Sequence, residues 1–189
     1  MAPLILASAS PRRLALLAQI GVTPDEVVVP GIDEAPRRAE VPRDYVRRMA
    51  REKAHAAAKP GAYLLAADTV VAVGRRILPK AADEAEVRAC LALLSGRRHH
   101  VLTAVVLVGP DGAAGERLTD TSVIFARLGP EQVEGYVTCG EGVGKAGGYA
   151  IQGRAECFVR FLSGSHSNVV GLPLFETAQL LRGAGWLSP

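Results

Sequence analysis

Four polar residues follow a short apolar run near the start of the chain and form its strongest chemical signal. Ser8 and Ser10 carry hydroxyls, and Arg12 and Arg13 come directly after Pro11. Ser10-Pro11 is typical of a helix start, so both arginines fall in the first helical turn, where the helix dipole is already positive. Hydroxyls, guanidinium groups and free backbone N–H groups at one strand-to-helix turn would bind an anion. The alternative is two solvated surface arginines.

A carboxylate interrupts the apolar run that predicts a strand from Tyr63 to Val73. Burying Asp68 without a partner would cost several kcal/mol. Asp68 therefore has either a buried partner or a place at a cleft, and it is a candidate general base or metal ligand. A second carboxylate, Glu34, lies in a turn-rich loop, where an ordinary polar loop residue is the simpler interpretation.

One lysine lies on the apolar face of the helix predicted from Pro42 to Ala58. Val46, Met49 and Ala57 share that face with Lys53. A lysine in such a position usually extends along the apolar stripe until its ammonium group reaches solvent. The alternative is that Lys53 points from a packed face into a cleft.

The most glycine-dense segment runs from Gly140 to Gly148 and contains Lys145. It lacks the Ser or Thr that follows the lysine in a Walker phosphate loop. Because glycine allows the backbone to approach a ligand closely, the segment predicts a binding loop, with a flexible connector as the alternative. Strands are expected to follow at Tyr149–Gly153 and Cys157–Leu162.

Composition limits the function classes. With 189 residues, 49% of them hydrophobic, the sequence predicts one domain over residues 1–189. The formal net charge of +3 comes without basic runs interleaved with aromatic residues, so no nucleic-acid surface is predicted. Apolar runs stay shorter than the roughly 18 residues of a membrane span, and no signal-peptide pattern is visible. The three cysteines lack metal-type spacing, and a cytoplasmic location is expected.

Helices and strands alternate along the chain, which predicts an α/β fold. The turn at Pro110–Gly112 joins two long strands as an antiparallel pair, so the sheet should be mixed. The adjacent His99 and His100 should point to opposite faces of a strand, which makes them a poor metal pair and favours structural roles. The first helix is expected to face the core through three residues at helical spacing: Leu14, Leu17 and Ala18.

These motifs, in this order, resemble the Maf family of nucleoside triphosphate pyrophosphatases over essentially the whole chain. The resemblance implies an elongated α/β fold, in which a strongly twisted mixed sheet is flanked by helices and a deep cleft separates two lobes. It also implies a homodimer. The resemblance rests on these segments: SASPRR (8–13), IDE (32–34), REKA (51–54), AADTVV (66–71), Lys80, LSG (94–96), TAV (103–105), KAGGYAIQG (145–153) and GSHSNVVGLPL (164–174).

Within the family, the chain resembles the branch that hydrolyses dTTP and UTP to the monophosphate and pyrophosphate, as a house-cleaning activity on the nucleotide pool. Modified pyrimidine nucleotides are further candidate substrates. Arg12, Thr69 and Gln152 match the base-reading positions of that branch; a sister branch acting on 7-methyl-GTP tends to carry Trp, Gln and Glu there. Two alternatives stay open: a nucleotide-binding regulator of septum formation without turnover, and a pyrophosphatase for 7-methyl-GTP or other non-standard purines.

The resemblance also implies residue roles. The catalytic set would be Arg13, Lys53, Asp68 and Lys80, with Asp68 as proton acceptor. Substrate binding would involve Ser8, Ser10, Arg12, Thr69, Lys145 and Gln152. Glu34 and Asp68 would hold a divalent cation, Mg²⁺ or Mn²⁺, through hard carboxylate oxygens. One departure from the family pattern is that Lys80 is followed by alanine rather than proline.

Overall fold

The computed structural model describes residues 2–187. Seven strands in this range belong to one sheet. The strands are β1 (Leu4–Ala7), β2 (Glu26–Val28), β3 (Tyr63–Val73), β4 (Arg76–Leu78), β5 (Arg98–Val108), β6 (Ala114–Phe125) and β7 (Val159–Ser163). The helices are α1 (Pro11–Gln19), α2 (Pro42–Ala57), α3 (Glu84–Leu94), α4 (Pro130–Thr138), α5 (His166–Val170) and α6 (Leu174–Gly183), and a 3-10 turn spans Arg154–Phe158.

The sheet is mixed, as the sequence predicts. Strand β1 pairs in parallel with β2 and β3, whereas β3 with β5, β5 with β6, and β6 with β7 are antiparallel. The order across the sheet is β2-β1-β3-β5-β6-β7, with β4 attached to β3. The parallel pairs need crossover connections, which α1 and α2 supply. None of the described helices combines the length and apolar character that crossing a membrane requires.

Two separate hydrophobic cores lie along β3, with a gap between them. On one face of the strand, Leu65 and Ala67 pack in a core with α1 and α6, whereas Val71 packs in a second core with α3 and α4. Side chains alternate along a strand, so Thr69 falls between the two cores on this same face. The other face of β3 packs on α2, except where Asp68 takes the place of an apolar residue. The break between the cores therefore coincides with Asp68 and Thr69.

The core-facing stripe of α1 differs from the sequence expectation. Leu14 is 36% exposed and Ala18 is exposed, whereas the buried residues are Arg13, Leu16 and Leu17. Those three residues have the i, i+3, i+4 spacing of a helix face. The prediction is confirmed for Leu17 and wrong for Leu14 and Ala18, because the buried face of α1 begins with an arginine.

The predicted strand at Tyr149–Gly153 is also wrong, because Tyr149 and Ala150 have no regular structure and residues 151–153 form a turn. Gly147 and Gly148 immediately before it have φ angles of 67° and 68°, a left-handed conformation that redirects the chain. Tyr136 then accepts the backbone N–H of Ala150 through its phenolic oxygen. The strand expected from Cys157 begins only at Val159, after the 3-10 turn.

The two adjacent histidines point to opposite faces of β5, as predicted. His99 is fully buried, with Nε2 2.9 Å from the phenolic oxygen of Tyr149. His100 lies at the surface, where Nδ1 is 2.8 Å from Asp120. Burial lowers the pKa of His99 to about 4. His99 is therefore neutral at physiological pH. In this form it binds to Tyr149, a residue of the cleft wall described below.

Lowering the pH from 8 to 5 should remove about 2 kcal/mol of folding stability through His99. An unfolded histidine titrates near 6.5, so below that pH the unfolded chain binds a proton that folded His99 does not. In urea titrations, His99→Gln should lose less unfolding free energy than the original chain across this range. Glu34 and Glu40 have pKa values of about 2 and contribute losses only below about pH 4.5. Equal losses in both proteins would contradict the prediction.

Candidate active site

A cleft of about 330 Å³ lies at the break between the two cores. It contains five basic side chains and two carboxylates. Every residue that the sequence analysis assigns to the site lies on its wall: Ser8, Ser10, Arg12, Arg13, Glu34, Lys53, Asp68, Thr69, Lys80, Lys145 and Gln152. These residues come from distant parts of the sequence, so the fold assembles them into one strongly cationic site.

Lys53 joins the two carboxylates of the cleft. Its Nζ lies 2.6 Å from Asp68 Oδ1 and 2.7 Å from Glu34 Oε1. Lys53 is 7% exposed and Asp68 is 4% exposed, so this contact is shielded from solvent. Val46 and Met49 on the same face of α2 are fully buried and fix the helix against the sheet. Of the two alternatives for Lys53, the structure therefore shows the cleft-directed lysine, which is also the buried partner that Asp68 requires.

Glu34 bridges two lysines from different segments. Lys80 Nζ binds Glu34 Oε2 while Lys53 Nζ binds Oε1. Burial raises the pKa of Glu34, but the hydrogen bonds and charges of the two lysines outweigh it and lower the pKa to about 2. Lys80 is about half exposed, so its ammonium group can follow a ligand, whereas Lys53 is held on a packed helix face.

Arg13 is a buried link between segments rather than a solvated surface residue. Its guanidinium donates to Gly171 O at 2.8 Å, to Ser8 Oγ at 3.0 Å and to Thr69 Oγ1 at 3.2 Å. Burial lowers the pKa of Arg13, and the negative charge of Asp68 opposes that effect. A guanidinium has five N–H donors, so two remain for a ligand after these bonds to the described residues. The buried stripe of α1 thus brings a cation to the floor of the cleft.

The glycine-rich segment is fastened to the residues that follow β4. Gly144 N donates to Ala81 O at 2.7 Å, and Ala81 N donates to Lys145 O at 3.1 Å. Gly147 N donates to Pro79 O at 3.1 Å. Its paired backbone places Lys145 beside Lys80, and the segment is therefore a fixed wall of the cleft rather than a flexible connector.

Arg12 and Lys145 both line the cleft. Arg12 Nε donates to Val170 O at 3.3 Å. Burial lowers the pKa of Lys145, and the charge of Arg12 lowers it further. An anion between these two cations would relieve their mutual repulsion, which is the electrostatic property expected of a phosphate site.

The two serines have different surroundings. Ser8 is buried, and its Oγ accepts the backbone N–H of Ser10 at 3.1 Å. Ser10 occupies the N-cap position of α1, but its hydroxyl makes no capping bond. The exposed Gln152 makes no side-chain hydrogen bond within residues 2–187, which leaves its amide available to a ligand.

Thr103, for which the sequence predicts no role, lies beneath the cleft and binds to the hydroxyl of Thr69. Thr103 lies directly opposite Thr69 in the β3–β5 register, and their hydroxyl oxygens are 2.9 Å apart. Thr103 is fully buried and donates to Asn168 O at 3.2 Å. The signal was available in the sequence, because Thr103 interrupts an apolar strand in the same way as Asp68.

The carboxylates of Glu34 and Asp68 suit a cation that binds together with substrate phosphates, such as Mg²⁺. The described residues contain no cluster of three or more His, Cys, Asp or Glu side chains that could enclose a metal ion. Mg²⁺ usually binds through one or two carboxylates together with substrate phosphates, rather than in a cage made only of protein. Glu34 and Asp68 both contact Lys53 Nζ, so their oxygens lie close enough together to fit that pattern.

The chain is similar to one protein family and to several enzymes. The family model described as Maf-like protein matches residues 3–184. A dTTP/UTP pyrophosphatase of Sphingopyxis alaskensis is 61% identical over 186 residues, covering 98% of each chain. A dTTP/UTP pyrophosphatase of Caulobacter vibrioides is 60% identical over 185 residues, covering 97% of this chain and 96% of that protein. Among solved structures, a nucleoside-triphosphatase of Mycobacterium abscessus, described as a dITP/XTP pyrophosphatase, aligns with a TM-score of 0.42 at 26% identity, covering 66% of this chain and 74% of that chain.

The fold and the cleft define an α/β protein with a cationic site of the size and charge that a phosphorylated ligand requires. The match over residues 3–184 and the identity to the two relatives establish the family. The chain belongs to the Maf family.

Proposed function

We propose that this chain hydrolyses dTTP and UTP to the nucleoside monophosphate and pyrophosphate. The observation that carries the proposal is the cleft itself, in which five basic side chains surround a buried carboxylate held by Lys53. Relatives covering nearly the whole chain are named dTTP/UTP pyrophosphatases, which supports the same substrates. Modified pyrimidine nucleotides belong to the same proposal.

The basic residues would bind the triphosphate. A nucleoside triphosphate carries about four negative charges, and their neutralisation is the main task of a phosphoryl-transfer site. Lys145 lines the cleft, and Arg13 keeps two N–H donors for a ligand after its bonds to Gly171, Ser8 and Thr69. Lys80, which is half exposed, can follow the pyrophosphate as negative charge develops on it.

Asp68 would accept the proton of the attacking water. Its Oδ1 is held by Lys53 at 2.6 Å, whereas Oδ2 accepts no hydrogen bond from the described residues. One oxygen thus fixes the orientation of the carboxylate and the other is available to a water molecule. The packed helix face of Lys53 maintains that arrangement before substrate arrives, which lowers the reorganisation needed in the transition state.

We also propose that Glu34 and Asp68 bind Mg²⁺ or Mn²⁺ together with the substrate. When bound, such a cation would supply charge neutralisation and polarise phosphoryl oxygens. The ion pairs of Glu34 keep it ionised over the physiological pH range, so the oxygen that pairs with Lys80 is available as a ligand when this exposed lysine turns to the phosphates. The family resemblance supports two further proposals: a cytoplasmic location and a homodimer.

A screen of nucleoside triphosphates tests the function. The chain is incubated with dTTP, UTP, CTP and 7-methyl-GTP, each with Mg²⁺ or Mn²⁺ and with a chelator as control, and pyrophosphate release is measured. We expect release from dTTP and UTP that stops when the cation is removed. Nucleotide binding without release would instead support a regulator, and preferred release from 7-methyl-GTP would support the sister branch.

Replacing Arg12 with Trp and Gln152 with Glu should lower kcat/KM for UTP relative to that for GTP by about ten- to a hundredfold. The double substitution removes two donors proposed to bind the pyrimidine edge. Arg75→Trp with Gln179→Glu makes the same chemical changes at two exposed positions outside the cleft and serves as control. An unchanged UTP to GTP ratio in the first variant would show that these residues do not recognise the base.

A further inference from the structure

The loop that carries Glu34 is held to α2 by two side chains that lie outside the predicted catalytic and binding sets. Tyr45 donates its phenolic O–H to the backbone oxygen of Glu34 at 3.0 Å. Arg48 Nη2 donates to the backbone oxygen of Ala35 at 3.1 Å. Lys53 holds the Glu34 carboxylate from the same helix, so one rigid element fixes both the backbone and the side chain of Glu34.

The far end of this loop is fastened by a salt bridge of bidentate geometry. Arg48 Nε lies 2.7 Å from Glu40 Oε1, and Arg48 Nη2 lies 2.7 Å from Oε2. Their side chains are only 14% and 9% exposed. Glu40 Oε2 also accepts the backbone N–H of Arg37 at 2.9 Å. Ala39 has a φ of 60°, which a residue with a side chain adopts only when its surroundings impose it.

We propose that Tyr45 is a positioning residue for Glu34, with Arg48 and Glu40 holding the rest of the loop. The Tyr45 ring packs in the core beneath α2 and is 9% exposed, and its hydroxyl bonds to the loop backbone. That hydroxyl fixes where the loop backbone lies above the helix. The Glu34 side chain can then place one oxygen on Lys53 and the other on Lys80.

This inference rests on the proposed function, because the position of Glu34 affects the rate only if Glu34 takes part in turnover. Removing the Tyr45 hydroxyl should resemble the loss of an outer hydrogen bond to a metal-binding carboxylate. Such a loss typically reduces cation affinity or activity by about ten- to a hundredfold. The geometry also predicts a change that needs no turnover, since the loop should open more often when the hydroxyl is absent.

The chain offers a matched pair of tyrosines for the experiment. Tyr63 also donates its hydroxyl to a backbone oxygen, that of Ala184 at 2.8 Å, but Ala184 lies outside the cleft. Tyr45→Phe and Tyr63→Phe therefore each remove one hydroxyl and one hydrogen bond to a carbonyl. We would measure kcat and KM for UTP, the Mg²⁺ concentration giving half-maximal rate, and hydrogen exchange of the backbone amides in residues 33–40 without nucleotide.

For Tyr45→Phe we expect kcat lower by about tenfold, a higher half-saturating Mg²⁺ concentration and faster exchange in residues 33–40. Tyr63→Phe should leave all three unchanged. Arg48→Lys, which loses the bidentate bond to Glu40, should reproduce the faster exchange, and the surface variant Arg51→Lys should not.

Two results would overturn the inference. The first is exchange in residues 33–40 that is the same in Tyr45→Phe as in the original chain. The second is faster exchange with unchanged kcat and cation dependence, which would make the loop contact purely structural. Failure of the original chain to hydrolyse any nucleotide would count against the proposed function instead, and the exchange data would still decide whether Tyr45 holds the loop.

Discussion

Replacing Asp68 with asparagine is expected to lower kcat for UTP by about a hundredfold to ten-thousandfold. The amide has nearly the same shape as the carboxylate but cannot accept the proton of an attacking water. Nucleotide affinity should remain within a few-fold, because Lys53 loses an ion-pair partner in this variant and becomes freer to bind phosphate. Single-turnover pyrophosphate release and equilibrium binding of a non-hydrolysable UTP analogue measure the two quantities separately.

Asp120→Asn is the control for this substitution. Asp120 pairs with His100 at 2.8 Å on the exposed part of the sheet and lies outside the cleft. The same change of carboxylate to amide should leave its kcat within about twofold of the original value, since the proposed chemistry does not involve it. A normal rate for Asp68→Asn would remove Asp68 from the reaction. A loss of binding equal to the loss of kcat would assign it to substrate affinity instead.

Replacing Lys53 with methionine should damage both folding and turnover. Methionine keeps most of the side-chain length but leaves the buried carboxylate of Asp68 without its cation. Removing one partner of a buried ion pair typically costs about 3–5 kcal/mol, because the remaining charge is not compensated. We expect a decrease of that size in the unfolding free energy at neutral pH. We also expect kcat/KM for UTP to fall by at least about a hundredfold, since the cation that orients the Asp68 carboxylate is lost.

Lys59→Met is the control for Lys53→Met, because it removes the cation of an exposed ion pair. Lys59 Nζ lies 2.6 Å from Glu26, the same distance as that between Lys53 and Asp68, but the Lys59 side chain is 51% exposed. Exposed ion pairs contribute about 0–1 kcal/mol, so Lys59→Met should change stability by no more than that and should keep full activity. Equal stability losses in the two variants would show that burial does not strengthen the contact between Lys53 and Asp68.

The sequence by itself determined the elements whose signals are local. The strand from Tyr63 to Val73 has the predicted bounds, and the helix beginning at Pro42 ends within one residue of its predicted end. A long apolar run and a proline at the first helical position report on the conformation of their own segment, so neighbouring residues are sufficient to predict them. The interruption of an apolar strand by Asp68 likewise predicted a buried partner or a cleft, since an isolated buried carboxylate is too costly to occur without a partner. The structure shows both, because Asp68 pairs with Lys53 and lines the cleft.

Only the tertiary structure decided how these elements face one another. Arg13 points inward because α1 is rotated to bury the stripe that begins with this arginine, and an apolar pattern alone misplaced that stripe. Residues 149–153 form no strand because two left-handed glycines redirect the chain before them and the Ala150 N–H binds to Tyr136. The bond from Tyr45 to the Glu34 backbone joins residues whose partnership depends on where a loop returns to a helix. Such contacts form only when separate segments pack together, so the local preferences of each segment do not predict them.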